Sequence, residues 1–553
     1  MQNNLWTKRL TFVVILLFVG PSVLPSISGD IEIRKNNVLN QVDTTSCVAS
    51  TSPDWWPMFR HDSGNTGYSL SGAPESWIEY WEYQTKNYLI GSPAVVDGKV
   101  YLGPNNNGRL LCLNAEDGSL IWQHQLKSVQ FALSPAVESE KVFLSYVDEN
   151  YEGKIICLNA ETGNQIWEKT IQYFISSTVI AEGRVYVASS GIDMPTGILT
   201  CYNATTGNQV WRYTPSPADY ITCSPAILDG KLYCVRDSFT GMFVSCLNAV
   251  TGKKNWDKQI TTDTGLQSVS IVATGNTIVV ARANDIHDNH GTIYCLDKTT
   301  GDTLWYYTTG EWFIQWPEII PSLAIAYDRV YFIAMLLTHD SMVYCLDLIT
   351  GEELWAQSLG DLAYSSPVIA DEKMYFSTSD GGLYCLDTTD GDFIWGSSLT
   401  GGPSSPVIAN QTIFIADFSG TIFAYGAPRE PVIPTIQGPA EGKINTLYNF
   451  TFATTDSQGD TIYYFIDWGD GQSENWIGPY ESDKQIVVGH TWSTKGTFSM
   501  QAKAKDVYGY ESDWGNLTVK MPCSYNKPVP HILEWLFQRF PNAFPLLRQL
   551  IEK

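Results

Sequence analysis

The 553-residue sequence is poor in positive charge: 34 Lys and Arg stand against 58 Asp and Glu, a formal net charge of −24. No basic patch breaks that balance, which excludes nucleic acid as a partner and sets the chain against an anionic membrane face. Histidine is scarce, with 7 in all, and only His287 and His290 lie close together near carboxylates. There is no Ser-His-Asp pattern, phosphate loop or metalloprotease motif. Neither a Cys-x-x-Cys-His haem attachment nor a pair of adjacent cysteines occurs. Long apolar runs are missing too. The run Leu10 to Gly20 follows Lys8-Arg9 and precedes Pro21, Pro25 and a small-residue stretch ending at Gly29. It is too short for an ordinary membrane span and reads as a secretory signal peptide over 1–29, with an uncleaved anchor as the other reading. Cys47 follows Thr-Thr-Ser and not a lipobox, so lipidation finds no support.

What the sequence has in abundance is repetition. The stretch Gly108 to Trp122 reads G-R-L-L-C-L-N-A-E-D-G-S-L-I-W and returns six more times. Its cysteines are Cys112, Cys157, Cys201, Cys246, Cys295, Cys345 and Cys385, and its tryptophans Trp122, Trp167, Trp211, Trp256, Trp305, Trp355 and Trp395. In every copy a glycine (118, 163, 207, 252, 301, 351, 391) stands four residues before the tryptophan, and successive tryptophans are 45, 44, 45, 49, 50 and 40 residues apart. A period of 40–50 residues built from short apolar runs and glycine turns is the signature of a β-propeller with one four-stranded blade per repeat. The Leu-x-Cys-Leu run reads as a strand buried between blades. The Asn/Asp-x-x-Thr/Asp-Gly segment reads as a tight turn in which glycine supplies positive φ. The tryptophan opens the outer strand and covers the junction with the next blade. The repeat cysteines read as small buried fillers, out of disulfide reach of one another. Cys223 and Cys234 fall on adjacent strands, where a bond is possible but not favoured.

A second half-repeat, typified by Ser92-Pro-Ala-Val-Val-Asp-Gly-Lys-Val-Tyr-Leu, has counterparts near Ser134, Ser177, Ser224, Val269, Ser322, Ser366 and Ser405. That makes eight inner hairpins against seven complete Gly-x-x-x-Trp units. The last copy stops at Tyr425-Gly426 without its tryptophan strand, while Trp81 lies 41 residues before Trp122, in phase. The expected fold is therefore all-β: an eight-bladed β-propeller whose ring the N-terminal strand around Trp81 closes. The unit resembles the repeat of pyrroloquinoline-quinone (PQQ)-type eight-bladed propellers. The lead-in Trp56-Pro-Met-Phe-Arg-His-Asp-Ser-Gly-Asn-Thr-Gly67 resembles a motif of that family's non-dehydrogenase members. The resemblance covers about 53–427 and implies a fold; it is less specific to activity.

After Gly426 the repeat gives way to a proline-rich stretch, 428–440, read as a linker. Alternating strands at sandwich spacing follow over 441–521. Asp467-Trp-Gly-Asp-Gly471, Gly489-His-Thr-Trp492 and Asp506-Val-Tyr-Gly509 resemble the signature of polycystic-kidney-disease (PKD)-type domains, although the first motif differs from the family's W-x-F-G-D-G form. That resemblance implies an immunoglobulin-like β-sandwich serving as an extracellular spacer or adhesion unit. Asp467 and Asp470 read as turn carboxylates that cap backbone amides, with calcium binding as the alternative. His287 and His290 read as a polar hairpin loop, with metal ligation as the alternative. The tail, 522–553, is apolar and aromatic but broken by Pro541 and Pro545. It reads as short amphipathic helices that contact a membrane, a partner or a sorting receptor, or that pack on the sandwich.

Candidate binding residues are aromatic. Trp312 and Trp316 enter the sixth blade, and Tyr88, Phe131, Phe174, Tyr220 and Tyr364 precede other inner strands. A rim of such rings at a channel mouth suits a sugar, a peptide or a flat ligand; the competing reading is packing between blades. The PQQ-type resemblance raises a quinoprotein oxidoreductase that uses PQQ and calcium, yet its calcium ligands and catalytic aspartate match no motif here. The expected function is non-catalytic binding or scaffolding of envelope proteins or glycans by a secreted or surface protein, with no cofactor. A quinoprotein enzyme and an envelope protein-assembly factor are the alternatives.

Overall fold

The computed structural model describes residues 54–522 except 75–77, 86–90, 105–107, 128, 173, 191–196, 217–218, 222, 263–267, 283–290, 310–321, 336–339, 364, 380, 399–403, 418, 428 and 457–458, together with 535 and 538–540. The stretches read as signal peptide (1–29) and tail (522–553) lie outside these residues almost entirely. Among the described residues no helix is long and apolar enough to cross a membrane.

Between residues 54 and 426 the described strands form eight sheets of antiparallel hairpins, one of which gains Tyr68–Ser69 in parallel on its innermost strand, Val368–Ala370. The first is typical: Ala94–Val96, Lys99–Leu102, Arg109–Asn114 and Leu120–Gln125, innermost to outermost. Six more follow at 131–171, 174–213, 226–261, 268–308, 324–358 and 368–398. The eighth joins the two ends of the ring. Ile78–Gln84 pairs with Thr421–Gly426, placing Trp81 opposite Ala424 and Glu82 opposite Phe423. Its innermost strand, Val407–Ala409, contacts Ala94–Val96 of the first sheet, so the chain is a closed β-propeller.

The repeat explains itself in the register. Each repeat cysteine is the cross-strand partner of its own tryptophan, and a bulge follows it in all seven copies. On the cysteine's other side, six sheets place Tyr101, Phe143, Tyr186, Tyr233, Tyr331 or Tyr375. These rings meet the tryptophans at centroid distances of 5.8–6.1 Å. The small cysteine leaves room for two large rings to meet across it. In the eighth sheet Phe414, Ala424 and Trp81 take the three places.

Each glycine of the Gly-x-x-x-Trp unit lies on the tryptophan of the preceding sheet, not on its own. A Cβ at Gly118, Gly163, Gly207, Gly252, Gly301, Gly351 or Gly391 would stand 2.6–2.7 Å from the ring of Trp81, Trp122, Trp167, Trp211, Trp256, Trp305 or Trp355 respectively. All seven also have φ between 67° and 80°, so the position demands glycine twice over. Six of the indole N–H groups then donate to a carbonyl of the same neighbouring turn, at 2.8–3.1 Å. The turn itself is held by its Asn or Asp. Asn159 Oδ1, for example, accepts from the amides of Glu161 and Thr162.

Beyond residue 430 two further sheets pack on each other. Thr435–Gln437, Tyr448–Ala453 and Ile486–His490 form one; Ser473–Tyr480, Ile462–Asp467, Gly496–Lys505 and Gly515–Met521 form the other. Both contribute to a single core that contains Phe450, Phe452, Tyr464, Trp468, Trp492 and Met500. The stretch read as a linker is partly structural. Thr435–Gln437 is an edge strand, and the Val432 amide donates to Thr455 O at 2.9 Å. Pro434 precedes that strand and no proline interrupts it, so the segment is free to pair.

Candidate functional site

An innermost propeller strand leaves one row of backbone groups facing the axis, and such an edge must find partners or water. Here the chain supplies its own. Residues 54–72 pass around the axis and reach every sheet at its inner strand or the turn that follows it. Carbonyls of Trp56, Pro57, Ser63, Gly64, Thr66 and Gly67 accept from the amides of Val95, Val137, Ile227, Ala273, Ile325 and Ile369, at 2.6–2.9 Å. Ser71 Oγ accepts from the Gln411 amide of the eighth sheet at 2.8 Å, and Met58 packs with Val179 and Ile180 of the third. The path is tight enough to need positive φ at Arg60, His61, Asn65 and Gly67. Gly64 lies so close to the fifth sheet that a Cβ would be 2.5 Å from Ala273 O.

Three side chains lock this segment. The buried Arg60 guanidinium donates to Pro367 O at 2.7 Å and to Leu323 O, tying the sixth and seventh sheets together. Burial pushes Arg60 down to about 9, still above neutrality, so it stays charged. Asn65 Nδ2 donates to Pro225 O and Ile271 O at 3.0 and 3.1 Å. His61 lies between Asp54 Oδ2 at 3.2 Å and Asp62 Oδ2 at 3.7 Å, edge-on to Trp56. Burial opposes its charge, but the attraction of the two carboxylates wins and pushes it up to about 9. The same contacts hold Asp54 and Asp62 below the usual carboxylate range although burial works against them. The space beside Arg60, lined by Phe59, Asn65, Cys223, Ser224 and Ser270, is a cavity of about 20 Å³, room for about one water.

Among the described residues, the chain enters the inner strands Ala136–Glu138 and Ala226–Leu228 at the ends opposite the tight turns that leave them. Tyr220 and Phe131 lie there, half-buried. Tyr220 exchanges two backbone hydrogen bonds with Asp237, at 2.8 and 3.0 Å, and Phe131 pairs with Val147. They belong to the fourth and second sheets, so the structure does not join them in one cluster. Trp312, Trp316, Tyr88 and Tyr364 lie outside the described residues, as do His287 and His290; of Phe174 only the backbone, paired with Ser190, is described.

A cluster absent from the sequence reading holds the Tyr220 connection. Buried Arg236 donates to Asp219, to both oxygens of Asp257 at 2.7 and 2.8 Å, and to Ser245 Oγ at 3.0 Å, and it covers the Phe243 ring. Arg236 draws Asp257 below the usual carboxylate range against the effect of burial. Two carboxylates and one guanidinium satisfy each other, leaving neither a free base nor a nucleophile; this is a clamp on a loop. Its sequence signal was Arg236-Asp237 at the end of a strand that is apolar or small in most other repeats.

Residues 74–173, 106–286 and 289–433 match the PQQ-repeat family model described as outer membrane protein assembly factor BamB. The chain belongs to that family. Solved structures agree on the propeller. The quinohemoprotein alcohol dehydrogenase ADHIIG from Pseudomonas putida HK5 superposes with a TM-score of 0.54 at 14% identity, over 71% of this chain and 84% of that one. BamB from Moraxella catarrhalis gives a TM-score of 0.50 at 16% identity, over 64% of this chain and all of that one. The PKD domain of an M14-like peptidase from Thermoplasmatales archaeon SCGC AB-540-F20 is 54% identical over 18% of this chain and all of that one, with a TM-score of 0.17. No curated protein matches.

Members of this PQQ-repeat family invite a test for the quinone. The described residues on the axis do not fit it: the chain's own segment hydrogen-bonds the inner strands there, and the cavity beside Arg60 has room for about one water, not for a planar three-ring cofactor. Asp467 and Asp470, read as turn carboxylates with calcium binding as the alternative, are engaged in their own turn. Asp467 Oδ1 accepts from the Gly469 amide at 2.8 Å and Asp470 Oδ1 from the Gln472 amide at 3.1 Å. Asp470 Oδ2 meets His490 Nε2 at 2.9 Å, with that imidazole stacked on Trp468. Cys223 and Cys234 are both buried free thiols.

Proposed function

We propose that the chain is an exported, non-catalytic binding or scaffold protein of the cell envelope. In this reading it is an eight-bladed PQQ-type propeller, followed by a PKD-type immunoglobulin-like sandwich that acts as spacer or adhesion unit. The observation that carries it is on the axis: residues 54–67 hydrogen-bond the inner strands where a propeller enzyme would need an open centre. The face at which the chain enters the inner strands is then the surface left for a partner, a protein or a glycan. The chain's charge of −24 disfavours acidic partners there. Export rests on the Lys8-Arg9 and Leu10-to-Gly20 pattern.

The test is reconstitution of the exported protein with PQQ and calcium, followed by quinone absorbance and dye reduction with alcohols and sugars. No turnover is expected; turnover refutes the binding reading in favour of a quinoprotein oxidoreductase. A second reading, an envelope protein-assembly factor, is favoured by the family description itself. Pull-down from envelope fractions separates the two. Co-purification with proteins undergoing assembly supports the second, and capture confined to glycans or mature surface proteins supports the first.

A further inference from the structure

At one end of the C-terminal sheets two connections bring three carboxylates together. Asp456 follows the strand Tyr448–Ala453, Asp460 precedes Ile462–Asp467, and Asp506 follows Gly496–Lys505. One carboxylate oxygen from each lies within 4.8 Å of the other two. Acidic residues often gather on a surface without a ligand, but two of these are not on the surface: Asp506 is 1% exposed and Asp456 5%, with Asp460 partly buried beside them. Asp506 Oδ1 accepts from the amides of Tyr508 and Tyr510, both at 2.9 Å. That leaves Asp506 Oδ2, which is buried and has no hydrogen-bond donor; Asp460 Oδ2 is in the same position. Neither Asp460 nor Asp506 has a Lys, Arg or His counter-ion among the described residues.

Such an arrangement is unfavourable as it stands. Like charges at this spacing repel, and a buried carboxylate oxygen without a donor keeps its full desolvation cost. One cation between the three oxygens removes both penalties. We infer that Asp456, Asp460 and Asp506 form a calcium site that ties the connection before Ile462–Asp467 to the one after Gly496–Lys505.

The ligand chemistry selects the ion. All-carboxylate oxygen donors favour a hard cation over zinc, which prefers nitrogen and sulfur. Magnesium keeps several waters in a strict octahedron, and two nearly buried carboxylates leave little room for them. Two oxygens on opposite sides of a calcium ion are about 4.6–5.2 Å apart, so a spread within 4.8 Å suits a single ion. The site is distinct from Asp467 and Asp470, and it does not depend on what the propeller binds.

The experiment uses the full exported chain, stripped with EDTA and titrated with calcium by calorimetry, with thermal unfolding followed in parallel. Wild type should take up calcium saturably and unfold at a higher temperature with it. Asp460→Asn and Asp506→Asn should each lose one equivalent of binding and that temperature rise. Asparagine at 506 retains the oxygen that accepts from Tyr508 and Tyr510; if that variant fails to fold, the partly exposed Asp460 still decides the matter. Absence of calcium binding in wild type, or unchanged binding in Asp460→Asn, overturns the proposal. Equal affinity for magnesium overturns the choice of calcium.

Discussion

Gly207→Ala tests how neighbouring sheets are held together. Gly207 has φ +67°, and a Cβ there would stand 2.6 Å from the ring of Trp167. Gly183, in the inner turn of the same sheet, has φ +70° but nothing within 4 Å of its Cβ position. Alanine at either site incurs the left-handed backbone penalty, about 1 kcal/mol. Only at 207 must it also displace a buried indole whose Nε1 is fixed on Ala204 O at 3.0 Å. Overpacking of that kind costs about 1–3 kcal/mol. The expected losses are therefore about 1 kcal/mol for Gly183→Ala and roughly 2–4 kcal/mol for Gly207→Ala. In a Trp167→Ala background the ring is gone, so the cost of Gly207→Ala should fall to that of Gly183→Ala, a coupling of about 1–3 kcal/mol. Urea unfolding followed by far-UV circular dichroism measures all four variants without relying on the missing fluorophore. Equal costs at 183 and 207, or a cost at 207 undiminished without Trp167, would refute the docking argument.

Other perturbations probe the axis and the core. His61 is pushed up from 6.5 to about 9, so its pairing with Asp54 and Asp62 stabilises fully below about pH 6.5 and fades as pH rises through 9. The loss is on the order of 2–3 kcal/mol, read as the fall in urea midpoint between pH 6 and 9.5; the same fall in His61→Gln would sink the assignment. Arg60→Met keeps the stem but abandons the carbonyls of Pro367 and Leu323, and a loss of about 2–4 kcal/mol is expected. A change below about 1 kcal/mol would show that this side chain does not tie the ring. Burial pushes the thiols of Cys112, Cys157, Cys201, Cys345 and Cys385 up to about 12. Nine of the 11 cysteines are buried free thiols, so native labelling at pH 8 should modify at most Cys47 and Cys523. Labelling of a repeat cysteine before unfolding would contradict the packed core.

How much of this was legible beforehand follows from sequence distance. A strand, a tight turn and a hairpin register are set by residues within about ten positions. The Leu-x-Cys-Leu runs, the Asn-x-x-Thr-Gly turns and the phase of Trp81 therefore carried the repeat, the sheet order and the joining of the ends. Spacing also suggested that tryptophan covers the next blade, but not that the glycine of each unit rests on the tryptophan one repeat earlier. Only the stacking of successive sheets makes Gly207 and Trp167 neighbours while Gly207 and Trp211 are not. The lead-in 54–72 has neither a strand nor a helix period, because its partners lie in eight different sheets up to 340 residues away. Nothing local distinguishes such a segment from a loop. The same holds for Arg236 with Asp219 and Asp257, and for the pair Asp456 and Asp460 with Asp506, which reach one point from two separate connections. Those meetings exist only once the ring and the paired sheets have closed, since it is closure that brings distant backbone edges and buried charges within hydrogen-bonding range.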